Sequence, residues 1–269
     1  MGWILDKGKN RAYDSGMEHI NTLLNELSVN PCGEKITILG ASKTRTAEEI
    51  IALYRQGVPV MGENRVQEFR EKYDAVHAAG IPYRFIGHLQ TNKIKYLVGK
   101  VDLIESVDRK ELLDAISAAY QKAGAVADIL LQINGGKEES KSGYDVENVL
   151  AAAEYALSLP NLRLRGLMAM LPADKNEQTL REICLQIREN YDIMKARYSG
   201  HPQAQMEILS MGMSEDYQIA VACGANEVRL GRILFGERKC VFLTDYREIT
   251  ILRKREGFLV PSRKRKSRS

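Results

Sequence analysis

The chain is poor in the residues that build disulfide frameworks and metal centres. Its 269 residues include four cysteines and four histidines. Cys32, Cys184, Cys223 and Cys240 show no C-x₂-C and no regular spacing, so they read as free, mostly buried thiols. His19, His77, His88 and His201 lie far apart with no H-E-x-x-H pair, and no metal site is expected. No apolar run approaches the roughly 18 residues of a membrane helix. Met1–Asn10 carries charges where an export signal needs an apolar stretch, which points to a cytoplasmic protein. A nucleic-acid partner is not expected either. Of a net charge of +4, Lys239–Ser269 contributes ten Lys or Arg against three Asp or Glu, or +7, so the body carries −3 and shows no phosphate-backbone footprint.

What is present is alternation. Met17, Ile20, Leu23, Leu24 and Leu27 recur at helical spacing, and Asn30-Pro31-Cys32-Gly33 ends that helix. Eight short apolar runs then read as buried strands: Ile36–Gly40, Val58–Met61, Tyr83–Ile86, Val101–Ile104, Ala127–Ile133, Leu162–Met168, Met206–Leu209 and Glu227–Leu230. Helical patterns separate them, over Ala47–Gln56, Arg65–Ala79, Asn92–Val98, Arg109–Ala123, Val146–Leu157, Glu177–Tyr198 and Glu215–Cys223. A short turn, Arg232–Phe235, follows the eighth run. The count, the length and the absence of G-x-G-x-x-G after the first strand favour one closed (β/α)₈ barrel over an open doubly wound sheet. The expected organisation is an N-terminal segment and helix over 1–30, a barrel over 31–240 and a basic, partly disordered extension over 241–269 with a small hairpin.

In such a barrel the chemistry is expected at the carboxyl ends of the strands. Strand 1 ends in Ala41-Ser42-Lys43, and a partly desolvated lysine there can offer a neutral amine to an aldehyde. After strand 7, Gly212 and Ser214 stand just before the expected helix, and Gly231 follows strand 8. Together they could cradle a phosphate, although Ser214 could equally cap its helix. Closure makes strands 1 and 8 neighbours, so an aldehyde that also carries phosphate suits the pair. Pyridoxal phosphate fits, and a phosphorylated sugar aldehyde fits nearly as well.

Several motifs stand in one order along the chain: Ala41-Ser42-Lys43-Thr44, Gly62-Glu63-Asn64-Arg65-Val66-Gln67-Glu68, Ile86-Gly87-His88-Leu89-Gln90-Thr91-Asn92-Lys93, Ser140-Lys141-Ser142-Gly143, Arg165-Gly166-Leu167-Met168, Ser210-Met211-Gly212-Met213-Ser214 and Val228-Arg229-Leu230-Gly231. Together they resemble the pyridoxal phosphate homeostasis protein family, also called YggS or PROSC. The resemblance runs from about Gly16 to Arg238. It implies a barrel like the N-terminal domain of alanine racemase, with pyridoxal 5′-phosphate held as an internal aldimine on Lys43. It further implies Arg229 facing the pyridine nitrogen, Ser214 and the Gly231 backbone on the phosphate, and Asn64 with the His88–Gln90 segment bordering the ring. Many relatives have Thr where this chain has Arg232, which raises the question of a charged contact to phosphate.

Two functions from different classes compete on this reading. One is a cofactor carrier that buffers or delivers pyridoxal phosphate, acting as a monomer with cofactor-dependent apo-enzymes as candidate recipients. The other is an amino-acid racemase. A racemase of this type needs a second base, supplied by a further domain, and about thirty residues follow the barrel, which favours the carrier. An arginine at the pyridine nitrogen also cannot protonate it as a carboxylic acid would, leaving a weaker electron sink. Lys141 is a further amine that could hold cofactor transiently.

Overall fold

The apolar runs form eight strands: β1 (Thr37–Ala41), β2 (Val60–Glu63), β3 (Tyr83–Phe85), β4 (Ile104–Val107), β5 (Ala127–Asn134), β6 (Leu162–Met170), β7 (Ala204–Met213) and β8 (Glu227–Leu230). In the computed structural model they are hydrogen-bonded in chain order into a closed barrel, with all pairs parallel. The structure describes residues 18–136, 142–173 and 175–236. These belong to the first of two units, Met1–Gly236; the second, Glu237–Ser269, and with it the expected hairpin and basic run, lies outside the described residues.

Helices run between the strands: α1 over 18–26, α2 (Ala47–Arg55), α3 (Val66–Ala78), α4 (Lys110–Lys122), α5 (Val149–Ser158), α6 (Glu177–Arg197), α7 (Tyr217–Ala222) and α8 (Arg232–Phe235). A 3₁₀ segment, Thr91–Tyr96, takes the helix position after β3. Local chemistry sets several boundaries. Thr46 and Glu49 form a reciprocal capping box at the start of α2, and Asn176 caps α6 by accepting from Thr179 N–H. The core lies between the strands and the helix ring, where Ile50, Phe69, Val76, Leu112, Ile116, Ile187 and Tyr191 are almost fully buried against the sheet.

One strand sits elsewhere than the hydropathy pattern indicates. The fourth was expected at Val101–Ile104, but the ladder runs over Ile104–Val107. The reason lies inside the barrel, where part of the filling is charged. Arg84 of β3, Glu105 of β4, and Glu227 and Arg229 of β8 point into one hydrogen-bonded cluster with Ser210 of β7. A strand that carries a buried glutamate looks polar in sequence and reads as a loop. β2 begins two residues later than expected and β7 runs four residues further, to Met213.

Candidate cofactor-binding site

Lys43 follows β1 by two residues and is half-buried. No side-chain hydrogen-bond or ion-pair partner engages it among the described residues. The residues around it are tightly held. Ser42 is fully buried; its hydroxyl donates to Gly62 O at 3.0 Å and lies 3.1 Å from Glu63 Oε2 and 3.3 Å from Tyr83 Oη. On the other side Thr44 has φ +66°, a left-handed conformation that a β-branched residue rarely adopts. Its N–H donates to Glu68 Oε2 at 2.7 Å. One cation joins the two sides. Lys72 of α3, only 8% exposed, donates to Ser42 O (3.1 Å), Glu63 Oε2 (2.7 Å) and Glu68 Oε2 (3.0 Å). Burial alone would raise the Glu68 carboxyl, but Thr44 N–H and Lys72 bring it below its ordinary value. A triad of buried Glu63 and Lys72 with half-buried Glu68 thus fixes the backbone on both sides of Lys43.

Asn64 and His88 come together through backbone contact. A Cβ built on Gly87 would lie 2.0 Å from Asn64 O, so only glycine lets the β3 loop reach the turn after β2. Asn64 is half-buried and its N–H donates to Glu63 Oε1 at 2.7 Å. His88 is exposed on the rim, with Nδ1 3.2 Å from Asp108 Oδ2 and 3.4 Å from Ser142 Oγ. Asp108 is buried and also paired with Arg109, whose Nη2 donates to Leu89 O.

The segments after β7 and β8 differ in detail from the sequence expectation. The seventh helix begins at Tyr217 rather than Glu215, and Asp216 is its N-cap. Asp216 Oδ1 accepts from Met213 N–H at 2.6 Å, so a carboxylate occupies the turn there and Ser214 does not cap the helix. Gly212 has φ +100°, and a Cβ on it would lie 2.8 Å from Ala220 Cβ and Tyr217 Cα. Glycine is therefore required at 212 by the packing of α7. Ser214 is half-buried, and its hydroxyl has no partner among the described residues. The backbone N–H groups of Ser214, Arg232 and Ile233 also have no acceptor in the hydrogen-bond network of the described residues. At Gly231 a Cβ would meet only Ala41, at 3.6 and 3.7 Å, so no protein packing demands glycine there. The Arg232 guanidinium is exposed and paired with Glu215.

Arg229 is buried on β8, opposite Leu39 of β1. Its Nη1 donates to Ser210 O and Oγ, both at 2.8 Å, and its Nη2 donates to Ala169 O at 2.8 Å and lies 3.6 Å from Met170 Sδ. Nε–H is the donor left over. Lys141 and the residues just before it lie outside the described residues. Sequence reasoning missed Glu63, Lys72, Glu105 and Asp108; the Glu68–Lys72 spacing on α3 was a usable sign, since it is a helical i,i+4 pair.

Fold and rim together define a barrel protein of the alanine racemase N-terminal-domain class. The family model described as "Alanine racemase, N-terminal domain" matches residues 39–239. The chain is 46% identical over 202 residues to the pyridoxal phosphate homeostasis protein of Aquifex aeolicus, covering 75% of this chain and 87% of that one. It is 34% identical over 214 residues to the protein of the same name from Escherichia coli K12, covering 77% and 89%. The structure of PipY from Synechococcus elongatus with PLP bound superposes with a TM-score of 0.71 at 28% identity, covering 82% of this chain and all of that one. Alanine racemase of Clostridium difficile, 18% identical with a TM-score of 0.64, shares the fold over 84% of this chain and 57% of its own. The chain belongs to the pyridoxal phosphate homeostasis protein family, the YggS/PROSC group.

Proposed function

We propose that this protein binds pyridoxal 5′-phosphate, holds it as a Schiff base on Lys43, and buffers or delivers it without turning over amino acids. The observation that carries the reading is the pairing of a half-buried, unpartnered lysine after β1 with unused donors after β7 and β8. Four of those donors suit a phosphate: the Ser214 hydroxyl and the N–H groups of Ser214, Arg232 and Ile233. The missing side chain at Gly231 leaves that space to the ligand. Arg232 joins through its backbone, since Glu215 holds its guanidinium. Arg229 offers Nε–H to the pyridine nitrogen, while Asn64 and His88 border the ring. When bound, the cofactor supplies an electrophilic aldehyde carbon; the chain supplies the amine, the anion donors and a cation at the nitrogen. Because Arg229 cannot deliver a proton to the ring, electron withdrawal is weak, which favours carrier over racemase.

On this reading the protein works in the cytoplasm as a monomer, and apo-enzymes that need the cofactor are its recipients. Among the described residues, no helix is long and apolar enough to cross a membrane. The test is borohydride reduction of the loaded protein followed by peptide mass spectrometry. The adduct is expected on Lys43 and absent from Lys43→Ala; an adduct on another lysine refutes the assignment. Incubation with amino acids in deuterium oxide tests the racemase alternative. Exchange of any α-proton at several turnovers per second would establish it.

A further inference from the structure

The charged cluster inside the barrel does nothing in the reading above, yet it touches Arg229 directly. Ser210 Oγ accepts from Arg229 Nη1 at 2.8 Å and donates its single hydrogen to Glu105 Oε2 at 2.9 Å. Glu105 is fully buried, and its other oxygen accepts from Arg84 Nη1 at 3.3 Å. Arg84 also binds Glu227 Oε2, while Glu227 Oε1 is buried without a partner. Two arginines and two glutamates thus lie along one hydrogen-bonded chain through Ser210, below the rim.

We infer that Glu105 is a positioning residue for Arg229, acting through the Ser210 hydroxyl so that the unused Nε–H is held toward the ligand's ring nitrogen. This rests on the proposed binding of pyridoxal phosphate. The direction of the hydrogen bonds carries the inference. A carboxylate at 105 is an obligate acceptor, so the Ser210 hydrogen points to it and the Ser210 lone pairs face Arg229. Two backbone carbonyls, Ser210 O and Ala169 O, hold the two Nη groups, and the Ser210 hydroxyl is the one side-chain oxygen that adds a third tie and sets the tilt of the guanidinium, and with it the direction of Nε–H. A protonated Glu105 becomes a donor toward the same hydroxyl, which must then turn its own hydrogen elsewhere. Burial, and after it the charge of Glu227, pushes Glu105 up to about 8, so its ionised form dominates only on the alkaline side. The charged groups facing it are Arg84 from β3 and Glu227 and Arg229 from β8.

The test compares two probes at pH 9: pyridoxal phosphate and its carbocyclic analogue, in which a CH replaces the ring nitrogen. Affinities are measured by titration for the wild type, Glu105→Gln and Ser210→Ala. The wild type is expected to prefer pyridoxal phosphate by roughly tenfold or more, as one hydrogen bond to a charged group implies. Both variants should lose that preference to within about threefold, with the analogue's affinity changed by about twofold or less. A purely structural role would weaken both probes alike, and that result overturns the inference, as does full preference in both variants. Equal binding of the two probes by the wild type also overturns it, because Arg229 would then read no nitrogen. If Glu105→Gln does not fold, Ser210→Ala, which removes only the bridging hydroxyl, decides. Borohydride trapping at Lys43 is scored separately in the same samples; its absence removes the Schiff-base reading without changing what the preference ratio says of Glu105.

Discussion

Replacing Lys72 with Met should damage both stability and the reactivity of Lys43. The side chain of Lys72 is 10% exposed and that of its partner Glu63 is 0% exposed. Removing one member of a buried pair leaves an uncompensated charge and costs about 3–5 kcal/mol. Glu63 keeps other donors, namely the N–H of Asn64 at 2.7 Å and Tyr83 Oη. The lower end, about 3 kcal/mol, is therefore expected. The double variant Lys72→Met/Glu63→Gln removes the orphaned charge and should recover a good part of that loss. A double-mutant cycle by chemical denaturation should then give a coupling of roughly 1–3 kcal/mol. Without Lys72, Glu68 loses the cation that holds it beneath Thr44, so the strained turn relaxes and borohydride trapping at Lys43 should slow. If Lys72→Met costs less than about 1 kcal/mol, or the two single costs simply add, the triad does not anchor this turn.

Three further outcomes are expected. Ser214→Ala should weaken pyridoxal phosphate by about 1–2 kcal/mol in titrations, with binding of unphosphorylated pyridoxal unaffected. The pH dependence of stability should carry the Glu105 contribution. Its carboxyl is raised in the folded state, so that contribution is complete below about pH 4.5 and is lost as pH rises through about 8. Wild type should therefore lose stability relative to Glu105→Gln between pH 5 and pH 9 in parallel denaturation curves; parallel pH profiles would contradict this. Truncation after Cys240 should leave cofactor binding intact, checked by the absorbance of the loaded protein.

The barrel was legible where its strands obey the ordinary rule of apolar faces. β5 and β6 are long runs of buried aliphatic residues, and their positions matched closely. β4 was displaced by three residues because hydropathy cannot show a glutamate neutralised by an arginine twenty-one positions away. Lys43 stands out in the sequence because strand ends in a barrel are where chemistry collects. The anchoring of Lys43 does not, because its key group is a helix lysine whose i,i+4 partner makes it look like an ordinary surface pair. The helix after β7 starts two residues later than the sequence pattern indicates, which leaves Ser214 outside it. Asp216 stands at the N-cap, and its carboxylate turns back to Met213 N–H instead of capping the helix.

The interior cluster also constrains how this barrel can drift in sequence. Arg84, Glu105, Glu227 and Arg229 share one interior space, and each is held by another of them or by Ser210. Removing either arginine leaves buried carboxyl groups without their cation, at a cost of about 3–5 kcal/mol. Such changes are tolerable only in compensating sets. Across relatives, the identities at these positions should therefore change together: a neutral residue at 84 should accompany a neutral residue at 105 or 227. Four positions scattered over three strands then behave, under selection, as one heritable unit.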